Sequence, residues 1–240
     1  VFLNSYATNS AEPSAFTILR NRMTNVETGI KIFHASGTKN SSDGNINNNN
    51  ISLKKSSGTG IKIENTSLSG AAIYVLKDTI TGYFDGIILK NSRNVKISGC
   101  IVGIKERNAT DSYGIGIMNN STNCFIRENI VYNTLSDVQC MYNSYSMDNY
   151  YCCNNLIGGK TGMLIKGPSG MILRTSNFNY NHLRGLRLDD VASIGSQDHT
   201  GNQWNYLPSI TYPAYNENIN NLNLSRFRVN DNAQENPPKY

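Results

Sequence analysis

Apolar and polar residues alternate along this chain in short bursts, and the bursts recur. The recurring unit is glycine, apolar, any residue, apolar. It appears as Gly29-Ile30-Lys31-Ile32, Gly60-Ile61-Lys62-Ile63, Gly86-Ile87-Ile88-Leu89 and Gly114-Ile115-Gly116-Ile117. It continues as Asp137-Val138-Gln139-Cys140, Gly162-Met163-Leu164-Ile165 and Gly185-Leu186-Arg187-Leu188. The leading apolar residues step by 31, 26, 28, 23, 25 and 23 positions, a mean of 26. Before each unit lies an Asn-rich segment closing on an apolar residue, as in Asn50-Ile51, Asn129-Ile130, Asn155-Leu156 and Asn177-Phe178. Val95-Lys96-Ile97-Ser98-Gly99-Cys100-Ile101 is the same element, alternating with period two.

Alternation with period two marks a half-buried strand. A leading glycine permits a sharp corner at positive φ. Two short strands and a corner cannot bury a face alone. Stacked in parallel register, the two apolar positions of each coil form continuous interior ladders. The pattern predicts an all-β fold, a right-handed single-stranded parallel β-helix of about seven coils over residues 1–205. An irregular capping segment follows over 206–240. Pro168 is the only proline between residues 14 and 207, as expected where nearly every strand N–H is used. The leucine-rich spacing, the longer propeller period and the hexapeptide period all fail to fit. No segment carries an amphipathic helix.

Composition sharpens this picture. Asn accounts for 36 of 240 residues, and Asn tolerates the left-handed backbone that tight corners need. The net charge of +5 is spread rather than clustered, which argues against nucleic acid as a partner. No apolar run approaches the length of a membrane span, so no membrane insertion is expected. The chain starts without Met and without a signal-peptide pattern, which reads as a mature or excised part of a longer protein.

The Asn-x-Ile strands followed by Gly-Ile-x-Ile strands resemble the parallel β-helix repeat proteins of the pectate-lyase-like superfamily, over roughly residues 15 to 205. That superfamily includes polysaccharide lyases, glycoside hydrolases, epimerases, phage tailspikes and adhesins. The tail from Gly201-Asn202-Gln203-Trp204-Asn205 through Arg226-Phe227-Arg228 to Pro237-Pro238 resembles the ends of β-helix regions in large secreted Bacteroidota surface proteins. These resemblances imply an extracellular or cell-surface location. They imply polysaccharide, or other subunits of a surface assembly, as partner.

Candidate chemistry is sparse. Asp189-Asp190, after the strand Leu186-Arg187-Leu188, resembles one element of the polygalacturonase-type hydrolases, whose other motifs are absent. Arg107 is a candidate catalytic base of the lyase kind. The loop Lys105–Tyr113 mixes charge signs and an aromatic. Its Lys105, Asp111 and Tyr113, with Asp85, Asp137 and Arg187, are candidate ligand contacts. Asp85, Asp111 and Asp137 would have to converge to bridge the Ca²⁺ that lyases of the superfamily use; otherwise no cofactor or metal is implied. Cys140 and Cys152 align with ladder positions and read as buried hydrophobes. A disulfide, for example Cys152–Cys153, and a catalytic thiol approached by His34, His182 or His199 are the alternatives. The outward row Lys31, Lys62, Ile88, Gly116, Gln139, Leu164 and Arg187 sets two lysines in repulsion and leaves apolar residues for something to cover. Trp204 is placed to cap the open core, or to form a sugar platform with Tyr206, Tyr212 and Tyr215. With no complete catalytic set, the sequence favours an extracellular module acting as a rigid spacer or a glycan or adhesion surface. The alternative is a lyase or hydrolase acting on an acidic polysaccharide.

Overall fold

The computed structural model describes residues 1–4, 16–34, 36–37, 43–54, 58–68, 72–105, 112–134, 138–194, 197–198, 201–205, 212–217 and 227–228. Three parallel sheets of nine, seven and eight strands stack into a β-solenoid. The second sheet runs from Thr17–Leu19 to Met171–Arg174, and the third from Arg22–Val26 to Gln203–Asn205. The first sheet runs from Phe2–Asn4 to Tyr212–Asn216. Its last strand lies in the segment read as tail and pairs in parallel with Arg184–Asp189. Each coil therefore has three strands rather than two. The run Val95–Ile101 is not one element: it breaks at Gly99 (φ 65), between the strands Val95–Ser98 and Ile101–Ile104.

The predicted ladders form in the first sheet. Ile30, Ile61, Ile87 and Ile115 stand in register, as do Met163 and Leu186. All six are buried, each worth about 1.5–3 kcal/mol in water-to-core transfer. The fifth coil corrects the sequence reading. Ile115 pairs with Met141, not Val138, and the strand is Gln139–Ser144. Cys140 therefore occupies the glycine position, and the second ladder position falls to Asn143. This buried amide is tolerated because it is fully engaged. It accepts from the Tyr151 hydroxyl at 2.9 Å and from Asn149 Nδ2 at 3.2 Å, and donates to the Ser146 carbonyl at 2.9 Å.

The leading glycines are needed for a different reason from the one expected. Gly29, Gly60, Gly86 and Gly114 do not have positive φ. Instead the coils approach too closely for a side chain. A Cβ on Gly86 would lie 2.4 Å from the Gly114 carbonyl oxygen and 2.2 Å from Val102 Cγ1. Cys140 fits at the equivalent place beside the Gly158–Gly159 turn, and its thiol donates to the Gly158 carbonyl at 3.3 Å.

Left-handed residues of several types make the corners, and asparagine recurs just inside them. Between the second and third sheets, one residue per coil takes the left-handed conformation: Arg20, Asn48, Lys77, Gly99, Glu128, Cys153, Thr175 and Gly201. The residue after each forms an internal polar ladder. Asn154 Oδ1 accepts from the Asn129 N–H at 3.2 Å and from Asn129 Nδ2 at 3.0 Å, while its own Nδ2 donates to the Ile126 carbonyl at 2.8 Å. Asn49, Asn129 and Asn202 donate likewise to Ile18, Ile97 and Leu173. Cys100 takes an Asn place in this ladder, its thiol directed at the Val75 carbonyl. The corner after the first sheet repeats the device with His34, Asn65, Asn91, Asn119, Tyr145, Gly167 and Asp190. At the far end of the third sheet, Trp204 is buried and stacks on Phe178, ring centroids 5.2 Å apart.

Candidate functional site

The outer face of the first sheet carries the residues singled out from the sequence. At its start, Lys31 and Lys62 do not face each other unshielded. Glu64 binds both, at 3.5 and 2.9 Å. Burial pushes the Glu64 carboxyl up, but the hydrogen bond and charge of Lys62 and the charge of Lys31 outweigh it and hold it below its ordinary value. Midway, the row Ile88, Gly116, Tyr142, Leu164 replaces the expected row through Gln139. Tyr113 and Tyr142 stack with centroids 4.3 Å apart beside Gly116, whose missing side chain leaves room filled by Ile88 and Met118. Ile88 is only 2% exposed, so the chain itself covers it and no second chain is needed there.

Asp85 lies beside this aromatic pair and accepts the Tyr113 N–H at 3.0 Å. Burial pushes its carboxyl up to about 6, against the Tyr113 hydrogen bond and the charges of Lys90 and Lys62. Lys105 directly follows the strand Ile101–Ile104 and donates its N–H to the Gly82 carbonyl. Arg107, Asp111 and Asp137 lie outside the described residues.

Arg187, Asp189 and Asp190 gather at the other end of the face. Arg187 Nε binds Asp189 at 2.6 Å and its guanidinium also binds Glu217, while the Tyr145 hydroxyl donates to Asp190. Lys166 and Val191 complete a shallow, open depression around these carboxylates. Asp190 occupies the left-handed corner position filled by Asn in three other coils, which gives the acidic pair a structural role. This cluster and Asp85 stand four strands apart, about 19 Å at roughly 4.8 Å per strand. They do not form one centre. Among the described residues, no three His, Cys, Asp or Glu side chains gather closely enough to hold a metal.

The cysteines divide into two kinds. Cys100, Cys124 and Cys140 are buried, and burial pushes their thiols up to about 12, 11 and 12, which makes them inert as nucleophiles. Cys152 is not a ladder residue. Tyr151 takes the interior place beside Ile126, and Cys152 points outward in register with Arg127 and Arg174.

The outer face of the second sheet holds a feature the sequence reading missed. Tyr74, Lys96, Phe125, Tyr150 and Ile172 stand in register on five successive coils. Lys96 Nζ lies 4.9 Å from the Tyr74 ring centroid and 3.2 Å from its hydroxyl. The Phe125 and Tyr150 rings are 5.8 Å apart and tilted by 41°. Phe125 is 39% and Ile172 51% exposed, an unusual allowance of apolar surface on one line. Arg127 and Arg174 stand one row over. The alternation of Val95-Lys96-Ile97 already marks Lys96 as outward. Seeing the row required register across coils of unequal length.

No family model and no curated protein matches the chain. No helix among the described residues is long and apolar enough to cross a membrane. Among solved structures, the chain is similar to the crystal structure of bacteriophage CBA120 tailspike protein 3, at 12% identity and a TM-score of 0.30. The match covers 89% of this chain and 48% of the tailspike, so the chain spans about half that protein's length. At that score the likeness adds nothing beyond the strand pairing, which alone defines the chain as a parallel β-solenoid.

Proposed function

We propose that the chain is an extracellular β-solenoid module that binds an extended polysaccharide along the outer face of its second sheet. The observation that carries this reading is the row Tyr74, Lys96, Phe125, Tyr150, Ile172, fixed on a rigid scaffold with ring surface open to solvent. Sugar C–H faces pack on aromatic rings, and the flanking Lys96, Arg127 and Arg174 suit carboxylate or sulfate substituents. The strand spacing of about 4.8 Å presents these groups as a line rather than a pocket. The test is affinity electrophoresis and calorimetry against uronate-rich, sulfated and neutral polysaccharides. Replacing Phe125 and Tyr150 together by Ala should weaken binding by roughly 10–100-fold, the equivalent of about 1–3 kcal/mol. Undiminished binding by that double variant, or binding to none of the polymers, refutes this reading.

A second reading, a lyase or hydrolase centred on the first sheet, draws on Asp85. A carboxyl pushed up to about 6 beside an aromatic pair is suited to general acid–base work near neutral pH. It requires the purified chain to depolymerise a polysaccharide and the Asp85→Asn variant to lose that activity.

A further inference from the structure

Adjacent residues on a strand point to opposite faces, so neighbouring cysteines are normally kept apart. Here the strand ends at Cys152, and Cys153 takes the left-handed corner conformation (φ 58). That turn brings both side chains to one side, with the sulfurs in contact at 2.7 Å. Both are accessible. The Thr175 hydroxyl lies 3.5 Å from Cys152 Sγ and 3.6 Å from Cys153 Sγ. Arg127 and Arg174 flank Cys152 in register.

The geometry points to a redox-active vicinal dithiol at Cys152–Cys153, which closes to an intramolecular disulfide by exchange with a small-molecule disulfide. This goes beyond the polysaccharide reading and does not depend on it. The roles of the two thiols follow from their surroundings. Burial raises the Cys152 thiol, but hydrogen bonds from Cys153, Thr175 and Tyr150 and the charge of Arg174 outweigh it and leave it below its ordinary value. Cys153, hydrogen-bonded to Cys152, is held above its ordinary value. Cys152 is thus the attacking thiolate and Cys153 the resolving thiol.

The exchange balances without any further reagent. The Cys152 thiolate attacks one sulfur of RSSR, forms a mixed disulfide and expels RS⁻. Cys153 gives its proton to that thiolate and attacks Cys152 Sγ, expelling a second RS⁻, which takes up a proton from water. Counting the proton first lost by Cys152, dithiol plus RSSR yields disulfide plus two RSH. The protein is oxidised by two electrons and the small disulfide is reduced. The closed ring fixes the corner at Cys153 and removes a thiolate from beside Tyr150.

The full chain, reduced and then incubated with glutathione disulfide, is quenched with iodoacetamide and mapped by peptide mass. The expected product is a Cys152–Cys153 peptide lighter by two hydrogens and resistant to alkylation, in a chain that stays monodisperse, with Cys100, Cys124 and Cys140 still thiols. Cys153→Ser should stop at the glutathione adduct. Cys152→Ser should react at least about tenfold more slowly, having lost the favoured thiolate. Wild-type chain that stops at the adduct, links to a second chain, or leaves both thiols fully alkylated overturns the proposal. Circular dichroism of each variant separates loss of exchange from loss of fold.

Discussion

Replacing Asp78 by Asn should stabilise the solenoid at neutral pH and do nothing in mild acid. Asp78 occupies an Asn place in the internal ladder and is fully buried. Its Oδ1 accepts from the Asn49 N–H at 2.7 Å and from Asn49 Nδ2 at 2.8 Å, as an asparagine oxygen would. Its Oδ2 is buried without a partner. In Asn49, Asn129, Asn154 and Asn202 the corresponding atom is an N–H donor to a carbonyl of the preceding coil. By register that carbonyl belongs to Ile46 here. A carboxylate oxygen facing a carbonyl oxygen is repelled; a protonated carboxyl donates. Burial pushes Asp78 up to about 6, against the hydrogen bonds from Asn49. The unfolded chain releases the same proton at about pH 4. The folded chain thus binds it more tightly, and the Asp78 contribution is fully present below about pH 4 and lost as pH rises through about 6. Two pKa units correspond to about 2–3 kcal/mol. For a chain of this size that is roughly 5–10 °C in Tm. Thermal melts followed by circular dichroism at about pH 7.5 and about pH 4 measure the difference between Asp78→Asn and the parent. A gain that is equal at both pH values, or a loss at the higher one, refutes the ladder account.

Three further substitutions probe the same architecture. Gly86→Ala drives a methyl into the Gly114 carbonyl and should cost about 2–3 kcal/mol or more in chemical denaturation. Asn154→Ala orphans two buried donors of Asn129 and should cost about 2–5 kcal/mol by the same measurement. Trp204→Ala opens the space above Phe178 and should cost about 3–5 kcal/mol, with hydrogen exchange rising first in the strand Asn177–Asn179.

The fold was legible because the first sheet writes its register into the sequence. Gly-Ile-x-Ile is a close backbone approach followed by two interior positions, and six of seven copies align as read. The fifth failed because packing tolerates substitutes that pattern reading discounts. Cys140 replaces glycine beside a Gly158–Gly159 turn, and Asn143 replaces isoleucine because Tyr151 and Asn149 satisfy its oxygen. The second and third sheets merged into one element because the left-handed Gly99 shifts the alternation by one residue: Val95 and Ile97 point inward before it and Cys100 and Val102 after it, leaving Ile101 outward although it is apolar. The candidate sites fared less well. Arg187, Asp189 and Asp190 come together through sequence adjacency and strand pairing, and Asp85 meets Tyr113 across one coil. The aromatic row on the second sheet is spread over residues 74 to 172 and exists only through register. The vicinal thiols point the same way only because of one backbone angle, which no residue type announces.

The corner between the second and third sheets has a further consequence. Among the described residues it is the bend that keeps a constant length, two residues between the strands of every coil, the first left-handed. The uneven lengths of the repeats are therefore taken up at the other two bends. This corner behaves as a spine along which turns are threaded. Sequence change that adds loops, and with them new surfaces for recognition, is channelled to the opposite edges of the rod, where it can accumulate without disturbing the stacking.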